Sequence, residues 1–450
     1  MKKTSKSNGT LETLLVIGLI LVIPLFFALN TRANTPAISN TIASLPPTIS
    51  EDAFVENNAP LPKQPPTCNF PLAQITTEES VPPSYTFSEP QIVLTSSYPI
   101  DIVEWLPDNQ RVLVTQYIPN ANQQSIELFS PQTGERDVYA IRTRIDEPPS
   151  WLPESNAVIY PAMNIISIDK VKNRYDFTRQ VRLSIGDFEN TQLVADNLLH
   201  FYIAVKPDRN QIVYLTEKQL AKGNASLETQ QLVAFDSTQW EYRRDIFPPP
   251  VYKMTWRPGT SQVVLYSNGD TGGYTFLLDT DTGKVCEIDL GNEGDKSGWA
   301  ELTRWSPDGR YLAIIRSWGT LPITFSDLGI LDTVTGNLYT IQIAQGENLS
   351  RQFVEDIAWA PDNNHLVAIG SIFPLSGNGT NNQGDKQTGL YLIDVVSGQN
   401  IHFLPDYEFS AGWPGTNLSW SSDGSQLIVR CPTPEEERLC LITVQRSDKP

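Results

Sequence analysis

A short phrase recurs seven times in this chain, and its spacing is the strongest constraint on the fold. In its fullest form the phrase is Trp-x-Pro-Asp followed by an apolar run, as in WSPDGRYLAII from Trp305. The other copies begin at Trp105, Trp151, Val205, Trp256, Trp359 and Trp420. The gaps between first residues are 46, 54, 51, 49, 54 and 61 residues. A repeat of this length indicates a solenoid, a propeller or an array of units.

Each phrase predicts a strand, a tight turn and a second strand. In WSPDGR, Pro307 suits the second position of a type I turn, Asp308 the third and Gly309 the fourth. The apolar run that follows, Tyr311 to Ile315, is rich in β-forming residues and short enough for a strand buried on both faces. The phrase therefore predicts a β-hairpin.

A second turn follows most of the phrases and adds two strands. Apolar segments flank this turn on both sides, so each repeat has four strands, here called A to D, with strand A ending at the phrase. The turns are SPQTGE from Ser130, DTDTGK from Asp279, DTVTGN from Asp332 and DVVSGQ from Asp394, with looser versions at Gly186–Asp187 and Asp236–Ser237.

A four-stranded unit of this kind cannot bury both of its faces alone, so the units should pack around an axis as the blades of a β-propeller. We therefore predict an all-β, seven-bladed propeller, and six to eight blades are compatible with the repeats. The repeat tryptophans are expected to fill the wedges between blades as structural residues. They are Trp105, Trp151, Trp256, Trp305, Trp359 and Trp420.

The last repeat tests this prediction because the chain ends before its strand D. An open edge would be a pairing hazard, so another strand should cover it. The segment Gln91 to Thr95 (QIVLT) precedes the first phrase and has the composition of a strand. We expect it to complete the last blade and close the ring.

The phrase and the Asp-x-x-Thr-Gly turn together resemble the TolB-type, WD-repeat-like β-propeller repeat, across residues 91–450. The chain departs from that pattern at Val205, at Gly259 in place of Asp and at Ser422 in place of Pro. Similar repeats occur in periplasmic TolB, in the propeller domains of prolyl oligopeptidase-like peptidases and in bacterial envelope proteins. The resemblance thus implies the fold and says little about function.

The segment before the ring predicts export. Residues Leu14 to Leu29 are apolar and follow Lys2, Lys3 and Lys6, as the positive-inside rule expects. We assign residues 1–10 to a cytoplasmic N-terminus, 11–30 to a transmembrane helix or signal anchor, 31–90 to a Pro-rich extracytoplasmic tether and 91–450 to the propeller. The favoured location is a single-pass membrane protein with a periplasmic or cell-surface propeller. Secretion after signal cleavage is the alternative.

Charge and cysteine content agree with this location. The net charge of −18 excludes a nucleic-acid role, which needs a basic stripe. The four cysteines fit an oxidising compartment, although they allow three connectivities. Cys431 and Cys440 bracket a turn and are the predicted disulfide, with Cys68 and Cys286 as the other candidate pair.

No catalytic residue, metal ligand or cofactor is predicted. The chain has no Gly-x-Ser-x-Gly, no His-Glu-x-x-His and no Cys-x-x-Cys. The three histidines, His200, His365 and His402, are expected in different blades.

Long segments between strands B and C, or between D and A, depart from the repeat and share one face, where binding groups are usually mounted. They are Pro161 to Asp176, Glu217 to Thr229, Gly291 to Trp299, Phe373 to Gln387 and Pro405 to Gly415. Aromatic and basic residues favour partner contacts. The candidate binding residues near this face are Trp299, Arg316, Trp318, Trp413 and Arg430.

We therefore expect a protein-interaction or ligand-binding module whose partner is an envelope or cell-surface protein or a cell-wall component. The alternative is an enzyme, a glycan hydrolase or lyase, with an acidic site at the central channel. A small-ligand or ion sensor in the channel is a third possibility. Close, inward-facing carboxylates with raised pKa would favour the enzyme.

Overall fold

The computed structural model describes residues 67–68 and 84–447, with internal gaps. The gaps are 120, 144–146, 153–154, 172–173, 187–191, 196–197, 207–210, 217–218, 225–228, 235–252, 268–273, 291, 294–295, 298, 321–322, 344–348, 375–386, 408 and 410–414. All described residues belong to one compact unit, Leu61–Pro450. The predicted membrane segment lies outside them. Within the described part, no helix is long and apolar enough to cross a membrane.

The described structure is all β. Two strands, β1 (Ser84–Phe87) and β2 (Gln91–Ser96), precede the first repeat. Three antiparallel sheets of four strands follow. They contain β3 (Ile100–Trp105), β4 (Val112–Ile118), β5 (Gln123–Phe129) and β6 (Arg136–Thr143); β7 (Ser150–Leu152), β8 (Ala157–Val171), β9 (Arg174–Ile185) and β10 (Gln192–Ala195); and β11 (Leu198–Val205), β12 (Gln211–Thr216), β13 (Gln219–Asn224) and β14 (Thr229–Ala234).

The second half of the chain continues the pattern, with three more four-stranded sheets, a two-stranded ribbon and a five-stranded sheet. The fourth sheet has β15 (Lys253–Trp256), β16 (Gln262–Ser267), β17 (Tyr274–Asp279) and β18 (Val285–Glu287), and the ribbon has β19 (Asn292–Glu293) and β20 (Lys296–Ser297). The fifth and sixth sheets have β21 (Trp299–Trp305), β22 (Tyr311–Thr320), β23 (Ile323–Asp332), β24 (Asn337–Ile341), β25 (Leu349–Trp359), β26 (His365–Pro374), β27 (Gln387–Asp394) and β28 (Asn400–Phe403). The last strands are β29 (Leu418–Trp420), β30 (Gln426–Arg430) and β31 (Glu437–Ser447).

The sheets form a propeller. The first strands of successive sheets contact one another around the ring, and β29 contacts β3, so strand A of each sheet is innermost. Six of the sheets are regular four-stranded blades, each built from one continuous segment. The prediction of seven blades is therefore wrong. The seventh repeat instead joins a closing sheet, to which both the N-terminal and the C-terminal strands contribute.

The tight turn of each phrase has a repeated geometry. Gly309 donates its N–H to the carbonyl of Ser306 at 2.8 Å and has a φ of 72°, in the left-handed region that favours glycine and asparagine. The equivalent residues Asn109, Asn363 and Gly424 also have positive φ, whereas the positive φ lies one residue later in the second repeat, at Asn156, and one residue earlier in the fourth, at Gly259. The predicted hairpin is therefore present, with a left-handed residue at or after the Asp position.

Two predicted loops are strands instead. Residues 161–171 and 174–176 belong to β8 and β9, which pair as a long hairpin up to Val171 and Arg174. Residues 219–224 form β13, although the sequence QLAKGN has little β propensity, because pairing with both neighbouring strands overrides local preference. Strand β14, the fourth strand of this blade, ends at Ala234, and Asp236–Ser237, which the sequence analysis placed at the turn between strands C and D, lies outside the described residues.

Strand β31 closes the ring. It pairs on one edge with β30 and on the other edge with both β2 and β1. Gln91 of β2 lies opposite Leu441, and Phe87 of β1 lies opposite Val444. The predicted closing strand is confirmed as β2. Ser84–Phe87, which the sequence analysis placed in the tether, adds a second strand because β31 is 11 residues long and extends beyond β2.

Strand β1 also binds the neighbouring blade. The Tyr85 hydroxyl donates to Oδ2 of Asp362 at 2.7 Å, and the Nδ1 atom of His365 lies 2.8 Å from the same oxygen. Phe87 stacks on Phe403 with ring centroids 3.9 Å apart. The closing strand therefore holds the last sheet against the sixth blade.

Both candidate disulfides are present, Cys431–Cys440 and Cys68–Cys286. Cys68 also donates its N–H to the carbonyl of Glu287 at 2.8 Å, beside β18. A short piece of the segment assigned to the tether is thereby fixed to the outer edge of the fourth blade.

The repeat tryptophans are buried. Two of them donate across a blade boundary: Nε1 of Trp105 to the carbonyl of Ser419 at 3.0 Å, and Nε1 of Trp359 to the carbonyl of Arg304 at 2.9 Å. Each acceptor is the residue just before the tryptophan of the preceding repeat, so these bonds join the inner strands of adjacent blades.

Substitution Gly309→Ala should destabilise the propeller more than Gly398→Ala. Both glycines have a φ of 72°, but a Cβ at Gly309 would lie 2.9 Å from the backbone oxygen of Pro258, whereas nothing lies within 4 Å of a Cβ at Gly398. We expect a loss of about 1–2 kcal/mol for Gly398→Ala from backbone strain and about 1 kcal/mol more for Gly309→Ala. Denaturant unfolding measures both, and equal losses would contradict the close packing of adjacent turns.

Asp362→Asn should weaken the closure in a pH-dependent way. Burial raises the pKa of Asp362, but hydrogen bonds from His365 and Tyr85 outweigh it and hold the pKa below its usual range. The stabilisation from this carboxylate is present above its unfolded pKa of about 4 and is lost as the pH falls further. We expect a deficit of about 1–2 kcal/mol at pH 7 that shrinks below about pH 4. Unfolding titrations from pH 7 to pH 3 measure it, and a pH-independent deficit would contradict the account.

Candidate functional site

A cavity of about 480 Å³ lies among the inner strands. Strand A of five blades contributes to its wall, and Gly415 and Thr416, just before β29, complete it. Four acidic or basic side chains line it: Glu104, Glu147, Lys253 and Arg304. The central channel therefore contains a compact group of acids and bases, which a merely structural core would not require.

The lining follows the repeat. The residue immediately before the first position of the phrase lines the cavity in the first five repeats: Glu104, Ser150, Ala204, Thr255 and Arg304. Side chains alternate between the two faces of a strand, so one repeat position can face the axis in every blade. Glu104 and Arg304 thus occupy equivalent positions with opposite charge.

Bulges in the inner strands shape the acidic side of the site. The pairing register shifts between Ile102 and Glu104 in β3 and between Val354 and Asp356 in β25. An extra residue in one strand re-aims the side chains that follow it, and such bulges are common beside functional sites. Glu104 and Asp356 each come directly after a bulge.

Asp356 is completely buried beside this group. Its Oδ2 accepts the N–H of Asn417 at 2.8 Å, and its Oδ1 accepts the N–H of Ile357, also at 2.8 Å. Burial raises the pKa of Asp356, although the charge of Arg304 and these hydrogen bonds oppose the shift. Asp356 therefore connects β25 to Asn417, the residue just before β29.

Glu147 lies just before β7, and Arg142 holds its backbone. The buried Arg142 guanidinium donates to the carbonyl of Glu147 at 2.5 Å and to that of Pro161 at 3.0 Å. Burial raises the pKa of the Glu147 carboxyl to about 8, against the positive charges of Lys253 and Arg142. No hydrogen bond to the carboxylate from a described residue offsets this burial.

Lys253 begins β15 on the same channel wall. Its Nζ donates to the carbonyl of Glu301 at 3.1 Å. Burial lowers the pKa of the amine, although the charges of Glu147 and Glu301 oppose the shift, and the positive charge of Arg304 lowers the pKa further. Burial thus favours the neutral forms of both Glu147 and Lys253.

Arg304 and Glu104 complete the group. Arg304 donates from Nη2 to the carbonyl of Gly415 at 2.9 Å, which fixes its guanidinium against the segment before β29. Oε1 of Glu104 accepts the N–H of Trp151 at 2.8 Å. Burial raises the pKa of Glu104, although that hydrogen bond and the charge of Arg304 oppose the shift.

The residues predicted for binding lie outside the cavity lining wherever they are described. Arg316 is buried and paired with Asp327 at 2.7 Å, and Arg430 is buried and paired with Glu437 at 2.8 Å. The half-buried Trp299 donates from Nε1 to Oε1 of Glu301 at 2.5 Å. Only the backbone of Trp318 is described, opposite Phe325, and Trp413 lies outside the described residues. A binding role for these five residues stays a prediction.

Two of the histidines share a blade, contrary to expectation. His365 lies in β26 and His402 in β28, and both strands belong to the sixth sheet, because the repeat that begins at Trp359 contributes both of them. His402 stacks on Tyr391 at 4.7 Å, and burial lowers its pKa. Within the described ranges, no three His, Cys, Asp or Glu residues are placed to hold a metal ion.

Comparison with known proteins defines the class by fold. No family model matches the chain, and no curated protein does. A GH74 xyloglucanase from Xanthomonas campestris is 12% identical, covers 77% of this chain and 52% of that chain, and has a TM-score of 0.51. An oligogalacturonate lyase from Vibrio parahaemolyticus is 11% identical over 81% of this chain and 97% of that chain, with a TM-score of 0.50. At these identities the likeness concerns the fold alone.

The matched structures also include TolB from Acinetobacter baumannii, 10% identical over 78% of this chain and 82% of that chain, with a TM-score of 0.31. In architecture the chain is a β-propeller, as its repeats predict. Its four-stranded blades and their turns carry this assignment.

Substitution Glu147→Gln should change how stability depends on pH. A carboxyl whose pKa is raised to about 8 in the folded protein keeps its proton where the unfolded chain has lost it, so unfolding becomes easier as the pH rises from about 4.3 to 8. We expect this decline to be about 1–2 kcal/mol smaller in the variant, since water in the cavity reduces the effect. Urea unfolding between pH 4.5 and pH 8.5 measures it, with Glu436→Gln at an exposed turn as the control. Parallel curves for all three proteins would contradict burial of Glu147.

Proposed function

We propose that this protein is an extracytoplasmic β-propeller that binds a small polar ligand in its central channel. The observation that carries the proposal is the cavity of about 480 Å³ lined by Glu104, Glu147, Lys253 and Arg304. Ligand sites are typically concave, of roughly 300–1,000 Å³, with a few convergent polar groups in a mainly apolar wall. The channel has the volume and the lining of such a site.

The four acidic and basic groups are half-buried around the cavity, which supports a binding role over a structural one. Buried ionisable groups cost stability unless they are well paired, and the pKa shifts of Glu147 and Lys253 show that their mutual attraction does not overcome burial. A ligand that donates to the carboxyls and accepts from the cations would satisfy groups that the protein leaves short of partners.

Acid–base catalysis in the same channel is the second candidate. A Glu147 carboxyl with a pKa of about 8 could exchange a proton near neutral pH, which is the property expected of a general acid or base. This observation favours the enzyme more than the sequence alone did. A glycan hydrolase or lyase remains one form of this candidate.

The cellular setting is proposed from the sequence and supported by the disulfides. Both cysteine pairs are bonded, as expected in an oxidising compartment. A single-pass membrane anchor, a periplasmic or cell-surface propeller and an envelope partner on the long-loop face remain proposals on this basis. A loop-face partner and a channel ligand are compatible, because they use different surfaces.

A thermal-shift screen of the full chain against small polar metabolites tests the proposal. The panel contains amino acids, oxo acids, neutral sugars, uronic acids and amines, each in excess. A ligand at about 100 times its Kd should stabilise the protein by about 2.7 kcal/mol, which raises Tm measurably. Glu104→Gln and Arg304→Gln should weaken that response at least about tenfold in apparent Kd, because each removes a buried charged contact.

Arg438→Gln is the matched control, since Arg438 pairs with Glu436 at an exposed turn, where an ion pair contributes little. It should leave the response unchanged. A ligand that stabilises both channel variants as strongly as the wild type binds elsewhere. If no compound in the panel stabilises the wild type, the channel is not a site for ligands of this class.

A further inference from the structure

Lys253 has the environment of a reactive amine. Its side chain lines the cavity, and its Nζ donates one hydrogen bond, to the backbone carbonyl of Glu301. A neutral amine can make that bond as well as an ammonium group can, because the acceptor carries no formal charge. The contact therefore orients the nitrogen without requiring it to be protonated.

Among the charged neighbours of Lys253, Glu147, Glu301 and Asp356 favour the ammonium form, whereas Arg304 favours the neutral amine. Arg304 is a second cation close enough to lower the pKa of Lys253, in addition to burial. A lysine that is desolvated or lies beside another cation is an activated nucleophile towards carbonyl compounds. Lys284, in contrast, is exposed to solvent.

We infer that Lys253 captures a small carbonyl compound in the channel as an imine, an inference that rests on the channel site proposed above. The Nζ lone pair attacks the carbonyl carbon, and a proton passes from the nitrogen to the former carbonyl oxygen to give a neutral carbinolamine. The hydroxyl group then leaves as water as the nitrogen–carbon double bond forms. Water is the one product released, and no oxidant or reductant is needed.

Glu147 is the proton donor for the departing water. Its carboxyl retains a proton near neutral pH and lies within electrostatic range of Lys253 on the same cavity wall. After the proton is transferred, the carboxylate lies near the positively charged iminium group and stabilises it. The pair thus supplies the nucleophile and the acid that imine formation requires.

Arg304 narrows the class of carbonyl compound. Its guanidinium lines the cavity and is fixed by one hydrogen bond to Gly415, which leaves further N–H groups able to bind an anion. A carbonyl compound that bears a carboxylate can place that group on Arg304 and its carbonyl carbon at Lys253. We therefore assign the site to small oxo acids.

Reductive trapping of the full chain with pyruvate and cyanoborohydride at pH 7 tests the inference. Cyanoborohydride converts an imine into a stable amine adduct, which intact-mass measurement and peptide mapping can locate. We expect Lys253 to be labelled at least about tenfold faster than Lys284, because a larger fraction of it is the free amine. Uniform slow labelling of all lysines, with none preferred, would overturn the inference.

Variants separate the roles. Lys253→Arg keeps a cation and cannot form the imine, so the adduct at this position should disappear while the protein remains folded by circular dichroism. Glu147→Gln should slow trapping, whereas Lys284→Arg should leave the label at Lys253 unchanged. Arg304→Gln should slow trapping of pyruvate more than trapping of acetone, because acetone loses only the effect of Arg304 on Lys253 and has no carboxylate to bind. Equal slowing of both compounds would overturn the assignment to oxo acids.

The same experiment distinguishes failure of this inference from failure of the proposed function. If pyruvate raises Tm equally in the wild type and Lys253→Arg but forms no adduct at Lys253, the channel binds the acid without imine chemistry. If pyruvate neither reacts nor stabilises, the oxo-acid assignment is wrong, and the metabolite screen alone decides whether the channel binds another ligand.

Discussion

The structure depends on the antiparallel pairing of the N-terminal strands β1 and β2 with the C-terminal strand β31. Strands β1 and β2 occupy the edge of β31 that its own repeat leaves uncovered. Tyr85 extends the closure into the sixth blade through Asp362. A propeller opened at this point would expose a strand edge and release the inner strands from their fixed positions. The geometry of the channel therefore depends on the joint between the first and last strands.

Closure makes the inner strands a common wall, and it makes one repeat position equivalent in every blade. That equivalence allows a few substitutions to build a site without altering the scaffold. Glu104 and Arg304 stand at the position before the phrase, where the other repeats have small residues, and Glu104 and Asp356 each follow a bulge in their strand. Arg142 then holds Glu147 in place from the preceding blade. The turns and tryptophans secure the ring, and the departures from their pattern provide the chemistry.

The repeats allowed the fold to be predicted in detail because each turn is encoded locally. Gly309 and Gly398 mark turns in the sequence because glycine readily adopts the positive φ that these turns require. The spacing of Cys431 and Cys440 indicates a disulfide across a turn. Strand β13 and the long β8–β9 hairpin could not be predicted, because pairing with neighbouring strands decides their structure. The second closing strand, β1, was not predicted because it is only four residues long and lies in a Pro-rich segment that indicated an extended tether.

The channel site could have been found in part. Aligning the residues before each phrase would have shown that Glu104 and Arg304 are charged where the other repeats have small residues. Glu147 and Lys253 gave no such signal, since their meeting depends on blades two and four facing the same axis.

A carbon-13 NMR titration of side-chain carboxyls, with Glu147→Gln for assignment, tests the central claim most directly. We predict that one glutamate, absent in the variant, titrates near pH 8. Titration of Glu147 near the ordinary value of about 4.3 would contradict a buried ionisable site in the channel.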